Sequence, residues 1–305
     1  MDEKILYLVK SLSRTKRKDY ENYVVNAIWN RIKDERLIPV TQQYVCGENG
    51  ERYFIDLYFP QLKIGIECDE GYHNRDKQRI LDRERELTIF DVLRKINQKD
   101  YRAIHIDMSQ SYENIEKQID ECVSIIKSGI EEQQIVDGWA FLNHSVEDYF
   151  ANKDYITIYD DIAFKSNKDI FNVIFGQRFK GSYMQSGVAW DKLYTKYHRE
   201  EGLVPWFPQL RIDKPTTKGY YNVLSHDGTV IQEFNDSNQV NLDRKEEGRY
   251  IGQKRVVFTK VKNSTTGKLE YRFAGIFIGE KYTEQGAILY RRIDDKFEII
   301  RDMDD

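Results

Sequence analysis

The sequence predicts a two-domain protein in which an α/β domain precedes a mainly β domain. Its length of 305 residues suits two domains better than one. Helix-like and strand-like patterns alternate through residues 14–130. Residues 156–305 instead contain short strand patterns separated by turn signals such as "HDG" and "STTGK". Residues 131–155 are predicted to connect the two domains.

The first domain, residues 1–130, begins with an amphipathic helix at 14–36, in which apolar residues recur at helical spacing. Pro39 ends this helix. Ser109 or Ser111 is the candidate N-cap of the domain's last helix. The order α, three strands, α, strand, α is typical of a compact α/β unit. The remaining strands are predicted at 38–45, 52–60, 62–69 and 101–109, and the remaining helices at 75–96 and 111–130.

The second domain, residues 156–305, is predicted to be a β barrel or sandwich with one early helix at 167–176. A hairpin is expected where the strands 220–224 and 229–234 flank the "SHDG" turn. The other strands are predicted at 156–164, 254–263, 269–279 and 287–294.

Composition excludes several classes of protein. A formal net charge of −4 argues against a protein that simply coats nucleic acid, although local basic clefts remain open. The three cysteines are widely spaced and form no Cys-x-x-Cys pair, which favours a reducing cytoplasm over a disulfide framework or a zinc site. Neither a signal peptide nor a long apolar run is present, so we expect a soluble protein without a membrane partner. Basic stretches lie at 14–18, 75–79, 175–181 and 252–262, and each could contact a polyanion or be an ordinary solvated face.

Carboxylates and a histidine gather at the ends of two apolar strands. In "KIGIECDEGYH", Glu67 and Asp69 share one face because side chains alternate along a strand. Asp56 lies in the preceding strand, "FIDLYF", and a short turn makes a hairpin of the two strands. His73 follows a glycine turn and can swing back over the same place. The alternative is that these carboxylates form ordinary ion pairs with nearby arginines. That alternative explains four polar groups at one place less well than a functional site does.

Converging carboxylate oxygens are the ligands that Mg²⁺ prefers. A bound Mg²⁺ polarises a phosphoryl oxygen and helps to generate hydroxide, and a histidine can transfer a proton near neutral pH. The acids and His73 therefore predict hydrolysis of a phosphodiester.

The stretch "IDLYFPQLKIGIECDEGYH" resembles the core of the PD-(D/E)XK nuclease superfamily, and most of all its very-short-patch-repair (Vsr-like) branch. The resemblance implies that Asp56 is the first metal-binding acid and that Glu67 and Asp69 hold the second acidic positions, with Asp56 and Asp69 as the metal ligands. It also implies that His73 replaces the usual lysine. Glu21 on the first helix matches an auxiliary acid of some members.

The second domain carries a candidate pocket for a flipped base. Tyr220 and Asn222 share one face of a strand, and Glu233 lies on the strand after the turn, where the predicted hairpin brings it close to Asn222. Trp206 lies between prolines in "LVPWFPQL". An aromatic ring can stack on a base, while an amide and a carboxylate bind its Watson–Crick edge. The alternative is that these residues serve the β core and the turn.

The order of the two domains resembles the AbaSI-like modification-dependent restriction endonucleases. The resemblance implies an SRA-like (PUA-related) second domain that flips out 5-hydroxymethylcytosine or its glucosylated form in double-stranded DNA, with Tyr220, Asn222, Glu233 and Trp206 in the pocket. It also implies a Mg²⁺-dependent nuclease that cuts at a distance. One nuclease domain cuts one strand, so double-strand cleavage predicts a homodimer.

Two other functions remain open from the sequence. One is an endonuclease of the same fold that reads an unmodified sequence or a mismatch. The other is a DNA-binding protein with a degenerate nuclease fold, against which the intact set of acids and His73 argues.

Overall fold

A computed structural model describes residues 3–13, 19–47, 52–69, 87–135, 139, 145–180, 203–212, 219–235, 238–263 and 267–301. The chain divides into two compact units. The first unit comprises Met1–Glu86 and Arg94–Asn143, and the second comprises Leu87–Leu93 and His144–Asp305. His73 lies outside the described residues. No described helix is long and apolar enough to cross a membrane.

The first unit contains a mixed five-stranded sheet with the strand order β4-β1-β2-β3-β5. Antiparallel pairing joins β1 to β2 and β2 to β3, whereas β3 pairs with β5 in parallel. The strands are β1 (Val40–Cys46), β2 (Arg52–Phe59), β3 (Ile64–Asp69), β4 (Ile96–Asn97) and β5 (Arg102–Asp107). The helices of this part of the chain are α1 (Glu3–Leu12), α2 (Asp19–Ile32), α3 (Ile89–Leu93) and α4 (Tyr112–Glu132).

Helices α2 and α4 cover one face of this sheet and bury their apolar stripes against it. Ile28 of α2 and Ile119 of α4 are fully buried beside Leu57 and Ile66 of the sheet. Ser111 is the N-cap of α4, because its side chain accepts a hydrogen bond from the backbone of Asn114. The predicted α/β fold is confirmed, and the two strands that carry the acids lie at the centre of the sheet beside this core.

The predicted helix at 75–96 is wrong at its C-terminal end. Within its described part, only α3 is helical, and residues 96–97 form β4 instead. The side chain of Gln43 on β1 donates a hydrogen bond to the backbone carbonyl of Arg94. The chain after α3 is therefore held against β1 instead of continuing as a helix. Helix α1, which we did not predict, is held by packing, because the Tyr7 ring meets the Trp139 ring edge-on at 5.4 Å.

The second unit contains a seven-stranded sheet with the order β7-β11-β12-β13-β10-β9-β8. Its strands are β7 (Leu203–Trp206), β8 (Leu210–Arg211), β9 (Tyr220–Leu224), β10 (Val230–Asn235), β11 (Lys254–Lys262), β12 (Leu269–Tyr282) and β13 (Ile288–Asp294). A small two-stranded sheet pairs β6 (Tyr155–Thr157) with β14 (Lys296–Glu298). The helices are α5 (Val146–Phe150), α6 (Asn167–Ile174) and α7 (Asn238–Glu246).

The large sheet curls so that its two edge strands approach each other. The edge strands β7 and β8 are separated by three residues along the chain. Thr259 of β11 donates to the carbonyl of Pro208 at 2.9 Å and accepts from the backbone of Leu210 at 3.4 Å. These two hydrogen bonds join the β8 edge to β11, so the curled sheet resembles a barrel. The mainly β prediction is confirmed, although β7, β8, β14 and α7 were not predicted.

The predicted hairpin is also confirmed. Strands β9 and β10 pair antiparallel across the "SHDG" turn, and Glu233 is the direct partner of Asn222. The turn is held by side chains, because Ser225 donates to Asp227 and Asp227 accepts from Thr229. This local pairing places an amide and a carboxylate next to each other on one face.

A short piece of chain from the middle of the predicted nuclease region belongs to the second unit. Phe90 and Val92 of α3 are buried there. The Arg272 guanidinium lies 4.9 Å from the centre of the Phe90 ring and also pairs with Asp161 and Glu270. The sequence did not indicate this, because the pattern of α3 reads as part of a longer helix.

Candidate functional site

Asp56 is a buried carboxylate in the central strand β2, where it is 8% exposed. Its Oδ2 atom accepts a hydrogen bond from the backbone amide of Cys68 at 2.9 Å, and its Oδ1 atom accepts from the Gln42 side chain at 3.2 Å. Cys68 separates Glu67 from Asp69 in β3. The hydrogen bond therefore fixes Asp56 beside the backbone that carries the other two predicted acids.

Glu21 on α2 reaches the same amide group as Asp56. The Gln42 nitrogen lies 3.5 Å from a Glu21 oxygen, and Glu21 is buried. Gln42 has a φ of 56°, inside a strand, and it lies between the pairs Thr41–Leu57 and Gln43–Ile55. A residue in this left-handed backbone conformation lowers the free energy of unfolding by on the order of 1 kcal/mol. The hydrogen bonds of the Gln42 side chain help to offset this cost.

The carboxylates of Glu21 and Asp56 thus both point towards the side-chain nitrogen of Gln42. Both have an oxygen within 3.5 Å of a single nitrogen. Two carboxylates that reach one small group have the donor chemistry that a Mg²⁺ ion requires. Sequence reasoning had assigned Glu21 an auxiliary place, and in the structure Glu21 and Asp56 share the Gln42 side-chain nitrogen.

Glu67 and Asp69 make different contacts at the end of β3. Tyr101 donates its hydroxyl proton to Glu67 at 3.0 Å, and His105 Nδ1 lies 3.2 Å from Asp69 Oδ2. Burial, followed by the hydrogen bond with Tyr53, raises the pKa of Tyr101 well above its usual value, so this phenol remains a donor. In the parallel pairing of β3 with β5, His105 is the partner of Glu67.

The predicted acids therefore occur in distinct hydrogen-bonded groups. Asp56 and Glu21 meet at Gln42, Glu67 meets Tyr101, and Asp69 meets His105. Among the residues that the structure describes, no group of three or more His, Cys, Asp and Glu side chains is arranged around one metal position. Sequence reasoning missed His105, although its place in "YRAIHIDMS", on a strand parallel to the acidic one, was a usable signal.

In the second unit, Glu233 lies at the centre of what we call the Glu233 cluster, which consists of Glu233, Arg244, Arg255 and Tyr290. Arg255 donates to Glu233 Oε2 at 3.1 Å, and the Tyr290 hydroxyl donates to the same oxygen at 3.1 Å. Arg244 donates to Oε1 at 3.4 Å. Burial raises the pKa of Tyr290 far above its usual value, so this phenol stays protonated.

Arg255 is held in a cage of three aromatic rings. Its guanidinium carbon lies 4.3 Å from the ring centres of Trp206 and Tyr290 and 4.7 Å from that of Tyr250. Its side chain is 5% exposed. Within the basic stretch 252–262, Arg255 points into the protein and neutralises Glu233, whereas Lys254, Lys260 and Lys262 are exposed. The Trp206 ring forms a wall of this cage.

Tyr220 and Asn222 lie beside the Glu233 cluster. Tyr220 is 50% exposed, and the Arg244 guanidinium lies over its ring at 4.8 Å. The Oδ1 atom of Asn222 is buried and has no hydrogen-bond partner in the described part of the chain. A buried amide oxygen without a donor is costly, which points to a donor supplied by a ligand.

Sequence reasoning found four residues of this region and missed Arg244, Arg255, Tyr250 and Tyr290. These four come from α7, the turn after it, β11 and β13. Only contacts between distant parts of the chain bring them to Glu233, and the sequence holds no local pattern for such contacts.

The Glu233 cluster predicts a strong stability effect. Arg255→Met should lower the free energy of unfolding by about 3 kcal/mol, because removing one partner leaves a buried charge poorly compensated. The double variant Arg255→Met/Glu233→Gln should recover most of this loss in urea denaturation. Arg291→Met is the matched control, since its pair with Glu280 is exposed and should contribute less than about 1 kcal/mol. Equal effects of the two single variants would contradict the prediction.

Comparisons with known proteins agree with this two-part organisation. The family model described as restriction endonuclease PvuRts1 I-like, N-terminal, matches residues 5–141. The SET and RING associated (SRA) domain model matches residues 149–299. Among solved structures, the 5-hydroxymethylcytosine-specific restriction enzyme AbaSI is similar to the chain, with a TM-score of 0.70, 26% sequence identity and 96% of each chain covered. No curated protein matches the chain.

The two family models follow each other along the chain in the order of the two units, and the similarity to the solved structure covers both of them. Residues 5–141 therefore match a PvuRts1 I-like restriction endonuclease N-terminal domain, residues 149–299 match an SRA domain, and across both domains the chain is similar to AbaSI.

Proposed function

We propose that this protein is a Mg²⁺-dependent endonuclease that binds a modified cytosine, flipped out of double-stranded DNA, in its SRA domain and cleaves the DNA at a distance. The proposed base is 5-hydroxymethylcytosine or its glucosylated form, which is consistent with the specificity named for the similar enzyme AbaSI. The observation that carries the proposal is the buried, partnerless Asn222 Oδ1 atom in the described SRA domain, directly beside Glu233.

The pocket chemistry suits a cytosine. Asn222 Oδ1 can accept from an amino group, and a carboxylate accepts two to four hydrogen bonds, so Glu233 retains capacity beyond its three donors. Cytosine presents an amino donor on its Watson–Crick edge, and enzymes read a flipped base through that edge together with stacking on a ring. Tyr220 supplies a half-exposed ring next to these two groups.

The nuclease chemistry rests on the acids of the first domain. Asp56 and Asp69 would hold Mg²⁺, with Glu67 at the second acidic position on β3 and Glu21 as an auxiliary acid at the Gln42 amide. When bound, Mg²⁺ polarises the phosphoryl oxygen and lowers the pKa of a water. His73 is proposed to transfer the proton, and the hydrogen bond of Cys68 holds Asp56 in place.

Cleavage of both strands would need two nuclease domains, so we propose a homodimer.

The substrate is tested with matched duplexes that contain cytosine, 5-methylcytosine, 5-hydroxymethylcytosine or glucosylated 5-hydroxymethylcytosine. We expect cleavage of at least one of the last two to exceed that of cytosine by about tenfold or more, since each well-placed polar pair discriminates by about 1–3 kcal/mol. The measurement is the single-turnover rate with Mg²⁺. Equal cleavage of all four duplexes would exclude recognition of a modified cytosine. Sequence-specific cleavage of unmodified DNA would favour an endonuclease that recognises an unmodified sequence.

The nuclease assignment is tested with Asp69→Ala. Cleavage should fall by about a hundredfold or more, because the charge stabilisation at the phosphate is lost, while binding to modified duplex remains within about twofold. Asp120→Ala is the control, since this carboxylate is exposed on α4 and pairs with Arg31. A wild-type protein that binds modified DNA but does not cut it with Mg²⁺ would support the degenerate fold instead.

The pocket assignment is tested with Asn222→Ala. Discrimination between modified and unmodified duplexes should fall by about fivefold to tenfold, because the acceptor for the base is removed. Cleavage that occurs on unmodified DNA should not change. Gln232→Ala serves as the control, since this side chain neighbours Glu233 in β10 but lies on the other face of the strand. Unaltered discrimination in Asn222→Ala would show that the base binds elsewhere.

A further inference from the structure

We infer that the guanidinium of Arg244 is a built-in substitute for the flipped base, which must be displaced before a cytosine can enter the SRA pocket. This inference rests on the proposed base-binding function of the same pocket. It assigns Arg244 a role in setting how strongly a base must bind before it is accepted.

Arg244 makes the two contacts that a flipped cytosine would need. Its guanidinium carbon lies 4.8 Å from the centre of the Tyr220 ring, and its Nη1 atom lies 3.4 Å from Glu233 Oε1. Its side chain is 17% exposed, and its guanidinium contacts both the ring and the carboxylate. The residue comes from α7, outside the β9–β10 hairpin that carries Tyr220 and Glu233.

A guanidinium group and a cytosine share the relevant chemistry. Both are planar, both stack on an aromatic face, and both donate N–H groups from their edge to a carboxylate. Arg244 therefore competes with the base for the face of Tyr220 and for Glu233 Oε1. A group that only supported the pocket wall would not need to cover the stacking face.

The two arginines of the Glu233 cluster are held differently. Arg255 is 5% exposed, is caged by three rings and donates at 3.1 Å, so it is fixed. Arg244 makes a longer contact of 3.4 Å, is more exposed, and lies farther from its two rings, at 4.8 Å from Tyr220 and 5.7 Å from Tyr250. Because Arg255 and Tyr290 keep the carboxylate compensated, Arg244 can leave without abandoning a buried charge.

Competition of this kind lowers the apparent affinity of every base by the same factor. The apparent dissociation constant rises as the fraction of open pocket falls. Weakly held unmodified cytosine then remains in the duplex, whereas a base with additional contacts can still displace the guanidinium. Arg244 would thus raise the threshold for entry rather than contact the modification.

The test compares Arg244→Met and Arg244→Lys with wild type in the full-length protein. We expect Arg244→Met to bind a duplex with one glucosylated 5-hydroxymethylcytosine about fivefold more tightly, equivalent to about 1 kcal/mol, because the base no longer has to displace a guanidinium from Tyr220, Tyr250 and Glu233. A 2-aminopurine next to the target should show increased base extrusion. Arg244→Lys, which keeps the charge but not the plane, should also bind more tightly.

Arg249→Met is the matched control, because this neighbouring arginine has a 58% exposed side chain and pairs with Glu247 rather than Glu233. It should leave base extrusion unchanged and should not tighten binding. Removing a cation normally weakens DNA binding, so the sign of the change is decisive. Weaker binding by Arg244→Met that Arg244→Lys restores, or no change in either variant, would overturn the inference. Wild-type binding that does not distinguish the modified duplex would instead refute the underlying base-binding function.

Discussion

Glu233 is a carboxylate inside a curled β sheet, and its charge is tolerated because Arg255 and Tyr290 meet one of its oxygens and Arg244 meets the other. An isolated ionised carboxylate in such a place would be too costly to bury. The compensation comes from three separate elements, α7, β11 and β13, so these must assemble correctly around β10. The same requirement orients Asn222, because its strand is paired with the strand that carries Glu233.

The acids of the nuclease domain are compensated in a different way. Asp56 accepts from a backbone amide and a side-chain amide, and Glu67 accepts from a phenol, so these contacts are made by neutral donors. Neutral donors hold a carboxylate in place without cancelling its charge. In the SRA domain, by contrast, Arg255 and Arg244 supply positive charge directly. A metal site needs carboxylates held in position, and a base pocket needs a fixed acceptor.

Much of the fold follows from short-range patterns. The alternation in "FIDLYF" and "KIGIECD" predicts β2 and β3, and the turn between Leu224 and Thr229 predicts the β9–β10 hairpin with Asn222 beside Glu233. The errors occur where distant contacts decide the outcome. Helix α3 ends early because the chain beyond it pairs with β1, and α1 forms because Trp139 covers it.

Local sequence patterns predict an α/β domain followed by a mainly β domain, the strands that carry the acids and the pairing of Asn222 with Glu233, because each depends on residues close together in the chain. The shared contact of Glu21 and Asp56 with Gln42, the pairing of Asp69 with His105 and the positions of Arg244 and Arg255 around Glu233 follow only from the three-dimensional fold. Those contacts join elements that are separate in sequence. Long charged side chains have no periodic signal, and their partners are set by the curl of the sheet and the packing of helices upon it.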